Sequence, residues 1–116
     1  MIKSQELMER FGDVEFLNEL WQRAAAELPQ RLNELRPYMM QEAVTSQEDL
    51  AKRLHKLRGL VSNFLTEANA ITCLVQCEKL VAEEEIDKLP PLWTKFESLL
   101  DDEVNRLNRW IAERGI

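Results

Sequence analysis

The chain is poor in structure breakers and in reactive side chains. Among its 116 residues are three glycines, four prolines, two cysteines, one histidine and one tyrosine. Gly and Pro at this level exclude a many-turned β-sandwich and a disordered linker protein, both of which are rich in them. No apolar run reaches membrane-span length, and the opening MIKSQELMER lacks the apolar core of a signal peptide. The expectation is a cytoplasmic protein with no membrane insertion. Positive charge is also short: 15 Lys and Arg stand against 21 Asp and Glu, a net −6. A generic binder of nucleic acid or anionic lipid needs a basic surface, so neither is expected as a partner. The length suits one domain, taken as residues 1–116.

The two cysteines, Cys73 and Cys77, are four apart. On a helix they share a face without the backbone approach that a relaxed disulfide needs, so both are read as reduced, apolar thiols. With the single His55 they supply too few ligands for any familiar zinc spacing, and no bound metal is expected.

What is present is helical periodicity. Ile2, Leu7, Met8 and Phe11 mark a short amphipathic helix over about 2–11, closed by Gly12. From a candidate N-cap at Asp13, apolar residues recur at Leu17, Trp21, Ala24, Leu28, Leu32, Leu35 and Met39, in steps of three or four. Pro29 should kink this helix or cost it a hydrogen bond, and Pro37 should mark its fraying end. Thr45 and Glu48 read as a capping box opening the next helix, whose stripe is Leu50, Leu54, Leu57, Val61 and Phe64. Around Thr66 the phase shifts to Ala70, Leu74, Cys77 and Val81. Pro90 and Pro91 then suit the first turn of a last helix, with Trp93, Phe96, Leu100, Val104, Leu107 and Ile111 inward and an end near Gly115. Trp110 falls near the edge of that stripe. Four such stripes bury best as an all-α, antiparallel up-and-down four-helix bundle, over about 13–114, with the short N-terminal helix capping one end.

His55 does not belong to its helix's stripe. At 100° per residue, the mean direction of Leu50, Leu54, Leu57, Val61 and Phe64 lies about 140° from it, which puts the ring on the solvent side. Glu48, Ala51, Lys52, Arg58, Gly59 and Ser62 share that face within about 60°. A glycine inside a helix costs about 1 kcal/mol against alanine; at Gly59 it would let another protein's surface approach the imidazole. Lys52, Lys56 and Arg58 place cationic donors around the ring, suited to the oxygens of an anion. Residues 46–64 carry four cations and two acids, net +2, which leaves −8 on the remainder.

The string His55-Lys56-Leu57-Arg58-Gly59 resembles the signature of histidine-containing phosphotransfer (HPt) domains: an exposed His, an apolar residue two on, a cation three on and a glycine four on. Asn63-Phe64 fits the polar-then-apolar pair that often follows. Phe16-Leu17-Asn18-Glu19-Leu20, and Glu27 to Arg36 with its proline after Glu-Leu, are similar to the family's second helix. Cys77-Glu78-Lys79-Leu80 resembles its Cys-x-x-Leu. The likeness spans about residues 10–111. Leu65 stands where the family usually has a second glycine, and Cys77 lies about one turn farther from the histidine than is usual, so the junction after His55's helix is expected to differ.

The resemblance implies a phosphocarrier. His55 would accept a phosphoryl group from a receiver-domain aspartate and pass it to another, the two receivers belonging to a hybrid sensor histidine kinase and a response regulator. Arg58 would steady the phosphoryl oxygens; Ala51, Lys52, Lys56, Gly59 and Ser62 would meet the partner. No carboxylate cluster is evident beside His55, so Mg²⁺ is expected on the receiver and no cofactor on this chain. No Gly-rich nucleotide loop is present, so ATP-dependent kinase activity is not expected. A monomer is expected, and a free-standing protein and the cytoplasmic C-terminal module of a membrane-bound hybrid kinase both stay open. The alternative is a helical adaptor that docks receiver domains without transfer.

Overall fold

The computed structural model describes residues 4–65 and 69–114, and all regular structure among them is helical. The helices are α1 (Ser4–Phe11), α2 (Val14–Met39), α3 (Gln47–Ser62), α4 (Asn69–Ala82) and α5 (Leu89–Ala112), with a 3-10 turn at Ile86–Lys88 before α5. In space α3 packs on α4 and α4 on α5, while α2 touches both α3 and α5 and α1 lies against α2. The phase change expected at Thr66 and the end expected near Gly115 lie outside the described residues, as does the start of the first helix at Ile2.

Local chemistry sets most of the joints. Gly12 adopts φ +85°, which a side chain would strain, and its N–H donates to the Met8 carbonyl at 2.8 Å, closing α1. Asp13 then caps α2, its carboxylate accepting from the Phe16 N–H at 2.7 Å. α2 stays one helix through Pro29 and Pro37 and ends at Met39. A helix-interior proline costs about 3 kcal/mol. Leu28, Leu35 and Met39 are all buried around the two prolines, and each such burial contributes about 1.5–3 kcal/mol, enough to hold the segment helical.

The start of α3 differs from the expected capping box by one residue. Ser46, not Thr45, is the N-cap, accepting from the Asp49 N–H at 3.1 Å. Thr45 instead donates its hydroxyl to the Asp49 carboxylate at 2.8 Å. Ser46 and Thr45 are both good cap formers, so composition alone does not rank them.

The core follows the stripes. Trp21, Trp93 and Phe96 are its largest buried side chains, packed with Leu7, Leu17, Leu54, Leu57, Leu74, Leu89 and Leu107. Leu32, Val104 and Trp110 are half-buried, at the margins of their stripes. Cys73 and Cys77 are free and buried, and burial pushes the Cys77 thiol up to about 12. α1 closes over the end of α3: Arg10 Nη1 donates to the Ser62 and Asn63 carbonyls at 3.0 and 2.8 Å. Phe11 stacks on Phe64 with ring centroids 5.4 Å apart.

One acid is built into the interior. Glu103 on α5 is 9% exposed and accepts from the Asn69 and Ala70 N–H groups, at 2.8 and 3.4 Å, at the start of α4. It satisfies N–H groups that a helix N-terminus leaves free. Burial raises its pKa, and the two backbone donors pull the other way.

Candidate functional site

α3 presents one face to the core and the opposite one to solvent. Leu50, Leu54, Leu57 and Val61 are buried, whereas the His55 side chain is 73% exposed, as the helical wheel predicts. The first turn is fixed by the Ser46 cap and by Asp49, which accepts from Thr45 and from Arg53 Nε at 2.9 Å. Those two donors, Thr45 first, hold the Asp49 carboxyl below its usual range. Acidic residues in this first turn also match the positive end of the helix dipole.

Of the three cations read around the ring, one touches it. Arg58 Nη2 lies 3.0 Å from His55 Nδ1. Lys52 pairs with Glu48 at 3.2 Å, and Lys56 is exposed. Both lysines line a cleft between α2 and α3 that also contains Arg31, Glu34, Asp49 and Arg53. They therefore supply charge beside the histidine without contact to it.

Gly59 is the other distinctive position. It lies inside α3, exposed, and a Cβ built there would meet nothing within 4 Å. Neither backbone conformation nor packing among the described residues requires glycine there, in contrast to Gly12 with its positive φ. Ser62, half-buried, turns its hydroxyl onto the Gly59 carbonyl at 3.3 Å. Ala51 is half-buried one turn before His55, so the face on both sides of the ring is low.

The residue that the sequence reading missed is Glu78, on α4. Its Oε2 lies 2.7 Å from Arg58 Nε and its Oε1 3.7 Å from His55 Nδ1. A single acid thus stands where no carboxylate cluster was expected. The N–H of Arg58 Nε is not aimed at Oε2, and both atoms are shielded from water, so the contact is an ion pair without a formed hydrogen bond. The only sequence signal was the position of Glu78 beside Cys77: a residue next to a buried stripe position lies at the edge of its helix, where it can meet a neighbour.

Chemically, the arrangement offers an accessible imidazole, a guanidinium on one ring nitrogen, and an acid behind the guanidinium. Cys73 and Cys77 take no part; they lie in the core. Among the described residues no helix is long and apolar enough to cross a membrane. The chain matches no family model, no curated protein and no solved structure.

Proposed function

We propose that this chain is a phosphocarrier of the histidine-containing phosphotransfer type: an antiparallel up-and-down four-helix bundle of α2 to α5, capped by α1, working in the cytoplasm as a monomer. His55 takes a phosphoryl group from the aspartyl phosphate of one receiver domain and delivers it to the aspartate of another. The observation that carries the reading is the pairing of a solvent-exposed histidine with Gly59, a helix-interior glycine that nothing among the described residues explains. An open surface beside a nucleophile is what close approach of a second protein requires.

The chemistry suits the residues. A neutral imidazole nitrogen is a competent nucleophile. Transfer proceeds by attack of the ring nitrogen on phosphorus as the bond from phosphorus to the aspartate oxygen breaks, and the electron pair leaves with the carboxylate. Arg58 is within reach of the transferred group and neutralises part of its charge, as cations do in phosphoryl transfer. Glu78 is already engaged with Arg58, so the metal and the remaining acids fall to the receiver. Lys52, Lys56, Ala51, Gly59 and Ser62 form the surrounding contact surface, and the local positive charge complements an acidic receiver pocket.

The test is incubation with a phosphorylated receiver. Acid-labile label on the wild-type chain and none on His55→Gln is the expected result. Because His55 is exposed, the variant should keep its helical circular dichroism, so a loss of label reads as chemistry. Equal labelling of both proteins rejects His55 as the acceptor, and receiver binding with no label on the wild type supports the docking-only adaptor.

A further inference from the structure

Arg58 and Glu78 contend for one atom, His55 Nδ1. An arginine guanidinium has only donors, so a contact at 3.0 Å requires Nδ1 to present its lone pair. In a neutral ring the proton then sits on Nε2. A carboxylate has only acceptors, and Glu78 Oε1, at 3.7 Å from the same nitrogen, is a neighbouring group that can accept a proton from it. The two arrangements are mutually exclusive, and they place the ring proton on opposite nitrogens.

Resting on the phosphocarrier reading, the geometry points to a proton-placing switch at His55: with Arg58 on Nδ1 the other ring nitrogen is Nε2–H and cannot attack, and when Arg58 leaves, Glu78 takes an Nδ1–H and frees the Nε2 lone pair. Glu78 is thus a positioning residue for the nucleophile, and Arg58 is both its latch and its reporter of an incoming anion. The misaligned contact between Arg58 Nε and Glu78 Oε2 is consistent with a pair that is not locked. Among the described residues the other charged groups of this face do not compete for Nδ1. Lys52 is held by Glu48 and Lys79 by Glu83, and Lys56, a donor like Arg58, lines the cleft toward α2.

The step balances. As phosphoryl oxygens arrive, the Arg58 guanidinium turns to them. The Nε2 proton is lost to water and Nδ1 gains one from water, facing Glu78. The Nε2 lone pair then forms the N–P bond, the P–O bond to the receiver aspartate breaks, and its electrons remain on that carboxylate. The phosphorylated ring carries Nδ1–H opposite the Glu78 charge.

The ring can be read directly in the full chain by long-range ¹⁵N–¹H correlation spectra of its imidazole, at a pH where it is neutral and with no phosphoryl donor present. Wild type is expected to be mainly Nε2–H. In Arg58→Ala the ratio of Nδ1–H to Nε2–H should rise about three- to tenfold, the effect of a charge-assisted hydrogen bond to Glu78. In Arg58→Ala with Glu78→Gln most of that rise should be lost. An unchanged ratio in Arg58→Ala, or a wild type already Nδ1–H, overturns the switch. A receiver-transfer assay adds a second readout: in the Arg58→Ala background, Glu78→Gln should slow labelling further, whereas a glutamate that served only to hold Arg58 would change nothing there. No label on wild-type His55 would reject the phosphocarrier reading and leave the tautomer result standing, so the two failures are distinguishable.

Discussion

Two carboxylates each join α4 to a neighbouring helix, and their surroundings separate their roles. Glu103 reaches from α5 into the start of α4, where it is 9% exposed and accepts two backbone N–H groups. Glu78 reaches from α4 toward α3, retains 20% side-chain exposure, and meets only side chains there, Arg58 at 2.7 Å and His55 at 3.7 Å. Backbone donors at a helix end cannot move away without unwinding the helix, so the Glu103 contact is structural. A guanidinium on a long side chain can leave, so the Glu78 contact can be exchanged for another. The difference teaches that the rigid side of α4 faces α5 and the adjustable side faces the histidine.

Substitutions can break this contrast at either side. The largest effect is expected on the histidine face, where Gly59→Leu fills the open approach. Receiver-dependent labelling of His55 should fall at least about tenfold, the scale of a lost interface hot spot, while thermal unfolding stays close to wild type because, among the described residues, nothing outside the helix's own backbone lies within 4 Å of the new Cβ. Labelling at the wild-type rate would show that the partner does not approach over Gly59.

Glu103→Ala comes next. Removing the acceptor from the start of α4 should cost about 1–2 kcal/mol in urea unfolding at unchanged slope, as loss of a helix cap does. Glu78→Ala should cost less than about 1 kcal/mol, because Arg58 can turn to solvent. Equal losses at the two positions would erase the distinction between them.

A smaller gain is expected for Gly59→Ala, about 0.5–1 kcal/mol of added stability, since the residue is helical and the space is open. That outcome would show glycine there to be retained against stability.

The pH dependence should be the subtlest signal. Burial raises the Glu103 pKa in the folded state, so the folded chain holds this proton more tightly than the unfolded one. The Glu103 contribution is therefore full below its unfolded pKa and is lost as pH rises through the folded value. Asp49 runs the other way, its pKa being lowered, so its contribution is present above the unfolded pKa and is lost as pH falls through the folded one. The stability difference between wild type and Glu103→Gln should move in favour of wild type on acidification through the weakly acid range, and Asp49→Asn should show the opposite trend.

Much of this was legible in the residues themselves. The stripes, the Gly12 closure, the Asp13 cap, the proline start of α5 and the exposure of His55 all depend on neighbours within about one or two helical turns, and local geometry fixes them. One local reading failed at its margin: the α3 cap fell on Ser46, where two good cap formers stand side by side. α2 runs through Pro29 and ends two residues past Pro37, and its buried leucines offset the cost of the prolines.

Other features required the packed chain. Glu78 meets Arg58 across 20 positions of sequence, Glu103 meets Asn69 across 34, and Arg10 meets Ser62 across 52. Each depends on the axial offset and rotation of one helix against another, which side-chain packing decides and periodicity does not encode. The sequence by itself determined that a lone histidine would face solvent beside a glycine and a set of cations. The tertiary structure alone decided which cation touches it and that an acid from the next helix waits behind that cation, because only packing sets the distance between side chains on different helices.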